Sequence, residues 1–182
     1  VTSVTEVFGT GQQITHIIVE FNERVVNSQL TKNTFTVSDR TVEKIYSNTR
    51  PERTDIVKDG RFVIIELNPK DSGASLRLEG NDEVGFQMKK ATSKITQKED
   101  ILFTNGKKLE KSIAILENNK TRNLIVENFK QFVYKDPKTG TSVKYNLYIP
   151  KNYDKNKKYP LVLFMHDKGV LSEDTKTALF QG

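Results

Sequence analysis

The chain has 182 residues, of which 35% are hydrophobic and 29% charged, and its 29 basic and 23 acidic side chains give a net charge of +6. This composition supports the folded core of one large domain or two small ones. It excludes a helical membrane protein, because the longest apolar run, residues 161–165, is far shorter than the ~20 residues that span a bilayer. The absence of cysteine excludes disulfides and thiolate chemistry, and two histidines do not make a zinc site on their own.

The positive charge is densest at residues 151–159, and elsewhere acidic residues interrupt the lysines. Nucleic-acid binders concentrate their cations on one stripe, with arginine or aromatic side chains as readers. The charge pattern therefore favours a solvated, lysine-rich surface, and no nucleic-acid partner is expected.

Apolar and polar residues alternate with a period of two through the first hundred residues, which is typical of β-strands. The strand at 14–21 is apolar on both faces, and His16 within it is interpreted as a structural histidine. Turn signals at Asp59-Gly60 and Asn105-Gly106 separate short strands, an arrangement typical of an antiparallel sandwich. Further strands are predicted at residues 34–37, 42–46, 61–67, 75–78, 84–88 and 101–103.

A polar run at 117–123 marks a change of pattern, because almost all of its residues are charged or carry a side-chain amide. Such a run favours a boundary between domains. The chain is predicted to divide into a β-sandwich over residues 1–118, a linker over 119–123 and a second unit over 124–182.

The second unit is predicted to begin with two strands, at 124–134 and 141–149, joined by a turn that contains Asp136-Pro137 and Gly140. The continuous apolar run at 159–166 predicts a strand buried on both faces of a parallel or mixed sheet. Ser172 and the two acidic residues after it predict the start of a helix. A βαβ unit needs a second parallel strand, so the chain is expected to be truncated.

Particular stretches of the second unit resemble the opening of an α/β-hydrolase domain. They are Tyr145-Asn-Leu-Tyr-Ile-Pro150, Tyr159-Pro-Leu-Val-Leu-Phe-Met-His166 and Asp167-Lys-Gly169, and they are most similar to secreted esterases related to polyhydroxybutyrate depolymerases and feruloyl esterases. Residues 34–37, 42–46 and 60–67 resemble strands of the immunoglobulin-like domain that precedes the hydrolase in some of these enzymes. The resemblance implies a mainly β fold: an immunoglobulin-like antiparallel β-sandwich followed by the first strands and first helix of a truncated α/β-hydrolase domain.

The resemblance also implies where the chemistry lies. In that family the loop after the third strand supplies part of the oxyanion hole, which gives His166, Asp167, Lys168 and Gly169 as oxyanion-loop candidates. Asp167 departs from the glycine that the family usually has there, and His166 is interpreted as an anchor of the loop rather than a catalytic base. No Gly-x-Ser-x-Gly motif occurs in the sequence. The nucleophile, acid and base are therefore expected beyond Gly182, and the chain alone is expected to be inactive.

The function implied is the N-terminal region of a carboxylic-ester hydrolase, in which the immunoglobulin-like domain serves substrate access, oligomerisation or surface attachment. The parent would be a secreted or cell-surface protein whose signal peptide has been removed. It would act on an ester substrate without a cofactor or metal, and it would have no membrane-spanning segment. Whether it forms a homo-oligomer stays open. One alternative is a non-catalytic binding or adhesion module, favoured if residues 161–165 pair in antiparallel fashion and no helix follows at 172–181. Another is a structural or oligomerisation unit.

Overall fold

The structure, a computed structural model, describes residues 1–78, 87–166, 170 and 172–180, and it is mainly β, as predicted. Three short 3-10 helices are found in these residues, at Asn27–Gln29, Val126–Asn128 and Thr175–Phe180. The strands are β1 Thr2–Phe8, β2 Gly11–Val25, β3 Phe35–Val37, β4 Val42–Asn48, β5 Gly60–Leu67, β6 Arg77–Leu78, β7 Gln87–Met88, β8 Lys94–Gln97, β9 Ile101–Leu102, β10 Lys108–Leu109, β11 Ile115–Glu117, β12 Lys120–Asn123, β13 Phe129–Lys135 and β14 Ser142–Tyr148. Of the strand predicted at 84–88, residues 84–86 lie outside the described residues.

Two sheets form the sandwich. The larger has the order β12-β1-β2-β5-β4 and is antiparallel except where β12 runs parallel to β1, whereas the smaller is antiparallel with the order β11-β8-β3. Both sheets contribute to one core, in which Ile17 and Val63 of the larger sheet and Phe35 and Ile95 of the smaller are at most 1% exposed. Burial of this apolar surface is the main force that holds the sheets together. The antiparallel sandwich predicted from the turn signals is confirmed.

Strand β2 is buried on both faces, as its apolar pattern predicts. Ile17 belongs to the core between the sheets, whereas Ile18 packs on the opposite face with Val4, Tyr46 and Ile64 in a second, smaller cluster. Side chains of neighbouring residues in a strand point to opposite faces, so two apolar clusters require an apolar residue at consecutive positions.

The segment predicted as a linker, 119–123, is largely the edge strand β12. Thr2–Thr5 of β1 pair with Lys120–Asn123, and the Thr5 hydroxyl donates to the side-chain oxygen of Asn123 at 2.7 Å. The polar run predicted as a linker is thus paired with a strand, because its backbone groups find hydrogen-bond partners at the other end of the chain. The division of the chain into domains near this point stays a prediction.

The hairpin predicted in the second unit is confirmed. Strands β13 and β14 pair in register from Phe129↔Tyr148 to Lys135↔Ser142. In the turn, the Asp136 carboxylate accepts from the Lys138 N–H at 2.7 Å, and Gly140 has φ +73° and donates its N–H to the Asp136 carbonyl at 2.8 Å. Glycine suits this position because it adopts positive φ without steric cost.

The buried third strand predicted at 159–166 is not formed. Residues 161–165 have no strand pairing, and their side chains are 78–88% exposed. A strand buried on both faces needs a neighbouring strand at each edge, and the described residues supply neither neighbour. The predicted helix is present as the 3-10 helix Thr175–Phe180, preceded by Ser172, whose hydroxyl accepts from the Asp174 N–H at 3.1 Å.

Candidate functional site

His166, the first oxyanion-loop candidate, directly follows the exposed apolar run 161–165 and is itself exposed. The other three candidates, Asp167, Lys168 and Gly169, lie outside the described residues. The oxyanion loop therefore stays a prediction, with its first residue placed at the end of an exposed segment that forms no strand.

The 3-10 helix that follows this region is tied to the hairpin. Lys144 of β14 donates to the Glu173 carboxylate at 2.7 Å and to its carbonyl at 3.1 Å, and the Asn146 side chain donates to the Thr175 carbonyl at 2.7 Å. The Lys144 ammonium holds the pKa of the exposed Glu173 carboxyl below its usual range. These contacts join β14 to the segment that follows the oxyanion-loop candidates.

The hairpin presents an aromatic face. Phe132 and Tyr145 pair across the strands and stack with ring centroids 5.4 Å apart, while the side chains remain 39% and 42% exposed. Tyr134 and Val143 share that face and are more than half exposed. Aromatic cross-strand pairs stabilise a hairpin. This face is nevertheless incompletely covered by the described residues.

The C-terminal segment also contacts the sandwich. A Cβ added at Gly11, the first residue of β2, would lie 3.7 Å from the carbonyl oxygen of Phe180. Val126, just after β12, and Val170 are 7% and 3% exposed. The C-terminal segment is therefore not a free tail, because its last described residue, Phe180, lies beside the first residue of β2.

The chain between sandwich and hairpin is strained at Ile125. This residue has φ 68° and ψ −51°, and the Val126 N–H donates to the Leu124 carbonyl at 2.8 Å, which closes a γ-turn. A β-branched residue is rarely found at positive φ, because its Cβ crowds the backbone. The Ile125 side chain is 68% exposed, so packing within the described residues does not account for isoleucine at this position.

A polar network, which no sequence pattern indicated, joins the larger sheet to the loop between β4 and β5. Glu6 accepts from the Thr15 hydroxyl at 2.7 Å and from Arg53 at 2.6 Å. The Thr15 hydroxyl gives its one proton to Glu6, so Nδ1 of His16, 3.0 Å away, donates to the hydroxyl oxygen. Burial, with the nearby charges of Arg53 and Arg122, lowers the pKa of His16 to about 3. The ring is neutral at pH 7 and 2% exposed, which is consistent with the structural role predicted for His16.

Metal and membrane sites receive no support from the part of the chain that the structure describes. Across 1–78, 87–166, 170 and 172–180, no group of histidine, aspartate and glutamate side chains could hold a metal ion. In the same ranges, no helix is long and apolar enough to cross a membrane.

The comparisons with known proteins fit this architecture. Residues 1–110 match the family described as the esterase immunoglobulin-like N-terminal domain. A solved structure, the crystal structure of a thermostable esterase, is 27% identical with a TM-score of 0.85, and the match covers 97% of this chain and 49% of that one. The chain therefore spans about half the length of that esterase. No curated protein matches the chain. The predicted likeness to the N-terminal part of an esterase with an immunoglobulin-like domain is confirmed.

Proposed function

Because this chain belongs to the esterase immunoglobulin-like N-terminal domain family, we propose that it is the N-terminal region of a carboxylic-ester hydrolase. The observation that carries the proposal is that the likeness to an esterase continues beyond the immunoglobulin-like domain. The likeness to the thermostable esterase extends past the family match at 1–110 through nearly the whole chain, so it includes most of the second unit. A free-standing immunoglobulin-like module would not require this second part.

The catalytic nucleophile, acid and base would come from the half of such an esterase that has no counterpart in this chain. Two observations support this division: the sequence contains no Gly-x-Ser-x-Gly, and the match covers 49% of the thermostable esterase. In α/β-hydrolases the triad residues follow in the order serine, acid, histidine. The backbone N–H groups of Asp167 or Lys168 would donate to the substrate oxyanion, with His166 as the anchor of their loop. A well-aimed donor of this kind contributes about 3–4 kcal/mol to transition-state stabilisation.

The immunoglobulin-like domain would serve substrate access, oligomerisation or surface attachment in a secreted or cell-surface esterase. The closeness of Gly11 to the Phe180 carbonyl supports a role close to the hydrolase part, because the start of β2 lies beside the segment after the oxyanion-loop candidates. The parent enzyme would act on an ester substrate without a metal or cofactor.

The test joins residues 1–182 to the C-terminal half of the thermostable esterase. We expect the 182-residue chain alone to show no turnover of short-chain p-nitrophenyl esters and no labelling by a serine-reactive fluorophosphonate. The joined protein should show both, and replacing its Gly-x-Ser-x-Gly serine with alanine should remove both. A joined protein that melts cooperatively and yet is never labelled would favour the alternative, a non-catalytic binding or adhesion module.

A further inference from the structure

The loop at 151–159, which we name the basic loop, connects the hairpin to the exposed apolar run. Its four lysines and one aspartate give a net charge of +3, half of the chain's +6. All four lysines are exposed. Charge of one sign gathered in nine residues raises the local potential and attracts counter-ions of the opposite sign.

The basic loop has a defined conformation. Two turns form it, closed by the bonds from the Tyr153 N–H to the Pro150 carbonyl and from the Lys157 N–H to the Asp154 carbonyl, each 3.0 Å long. The rings of Tyr153 and Tyr159 lie 5.2 Å apart at 32°, and the Asp154 N–H donates to the Tyr159 hydroxyl at 3.0 Å. The lysines therefore belong to a loop whose conformation is fixed by hydrogen bonds near both of its ends.

Among the described residues, the lysines of this loop have no anionic partner. The Asp154 carboxylate is engaged locally, where it accepts from the Asn156 backbone N–H at 3.0 Å and from its side-chain amide at 3.2 Å. Within the residues that the structure describes, the ion pairs join other side chains, and none involves a lysine of the basic loop. No described carboxylate pairs with these four like charges, and a bound polyanion would relieve their mutual repulsion.

We propose that the basic loop binds an acidic polysaccharide, a polymer whose sugars carry carboxylates at regular intervals. Lysine ammonium groups pair with carboxylates as point charges. The Tyr153 and Tyr159 side chains, 53% and 42% exposed, offer apolar ring faces against which sugar rings can stack. The loop holds no arginine, the residue that binds phosphate in bidentate fashion and reads guanine, so a uronate polymer fits it better than a nucleic acid. The inference concerns binding alone and does not depend on ester hydrolysis.

The experiment measures binding of the full chain to polygalacturonate by calorimetry at low and at physiological salt, with neutral dextran as the polymer control. The variant K151Q/K155Q/K157Q/K158Q removes the cluster. The matched control K32Q/K70Q/K107Q/K111Q removes the same charge from four exposed lysines of the sandwich, none of which is in an ion pair among the described residues. K157Q/K158Q is a milder second variant, and circular dichroism verifies that each variant is folded.

We expect the cluster variant to bind polygalacturonate about tenfold more weakly or worse, K157Q/K158Q to lose part of that affinity, and the control to lose less than about threefold. Replacing Tyr153 with Ala should weaken binding at both salt concentrations, because stacking is not screened. Equal losses in the cluster and control variants would overturn the proposal, since net charge alone would explain them. Absence of binding at low salt would also overturn it, as would tighter binding to duplex DNA or to anionic vesicles than to polygalacturonate.

Discussion

Asn123 and Glu127 are joined across the strained residue Ile125, since the Asn123 backbone N–H donates to the Glu127 carboxylate. On the sandwich side, the Asn123 side-chain oxygen accepts from Thr5 at 2.7 Å and from Gln12 at 2.6 Å. The last residue of β12 is therefore fixed to the sandwich by its side chain and to the next turn by its backbone. This arrangement holds the strained γ-turn in place and fixes the direction in which the hairpin leaves the sandwich.

Replacing Ile125 with glycine should raise the free energy of unfolding by about 0.5–1 kcal/mol, because the relief of positive-φ strain exceeds the entropic cost of glycine. Urea denaturation measures the change. The matched control is Ile113→Gly, at a residue that is 94% exposed and has no positive φ, and it should lower the same free energy by about 0.5–1 kcal/mol. Equal losses in the two variants would show that Ile125 is not strained.

Stability should fall as the pH is lowered from about 6.5 towards 3. His16 takes up a proton near pH 6.5 in the unfolded chain but only near pH 3 in the folded one, so between these values the unfolded state binds one more proton. Each pH unit then costs up to about 1.4 kcal/mol of folding free energy. His16→Gln should flatten this slope in urea titrations over that range. His166→Gln, which removes the other histidine at an exposed position, is the control. An unchanged slope in His16→Gln would contradict the assignment.

The sandwich should fold without the hairpin, and a chain that keeps β12 should be more stable than one that lacks it. We expect residues 1–118 and residues 1–128 both to melt cooperatively. The shorter chain should be less stable by about 1–3 kcal/mol, because Thr5 and Gln12 lose their bonds to Asn123. Asn123→Ala within residues 1–128 isolates that polar contribution. Broad, non-cooperative melting of both chains would place the domain boundary elsewhere.

The exposed run 161–165 should make the isolated chain self-associate. Its backbone is unpaired and its side chains are largely exposed, and such a segment is a template for pairing with another chain. Light scattering should detect species larger than a monomer, and Leu163→Lys should shift them towards monomer without lowering the stability of the sandwich. Leu109→Lys, at an exposed position in β10, is the matched control. A monodisperse monomer with protected amides over 161–165 would contradict this expectation.

Local chemistry made part of this structure predictable. The turn from Asp136 to Gly140 contains its own proline, glycine and capping carboxylate, so the hairpin could be read from five consecutive residues. The consecutive apolar residues of β2 likewise indicate burial on both faces. For residues 161–165, local sequence is not enough. Their apolar composition indicates that the segment needs to be buried, but it does not indicate whether a neighbouring strand is available to cover it.

Other features depend on residues far apart in the sequence. The pairing of Thr5 with Asn123 spans 118 positions, and a polar run by itself does not distinguish an edge strand from a linker. The bond from Arg53 to Glu6 arises from an irregular loop that has no periodic pattern. Isoleucine has no preference for positive φ, so the turn at Ile125 could not be foreseen either. For the oxyanion loop, the family resemblance remains the source of the assignment beyond His166.

The bond from the Tyr46 hydroxyl to the Glu66 carboxylate, 2.7 Å long, has an optical consequence. Burial, together with this bond, raises the pKa of Tyr46 to about 12. The chain has no tryptophan and six tyrosines, and all of them except Tyr46 lie at or beyond residue 134. Hydrogen bonding to a carboxylate quenches tyrosine emission, so we expect the sandwich to contribute little to the native fluorescence and the hairpin and the basic loop to contribute most of it. Tyrosine fluorescence should therefore report on the conformation of the C-terminal segment, and emission from Tyr46 should increase only when the sandwich unfolds.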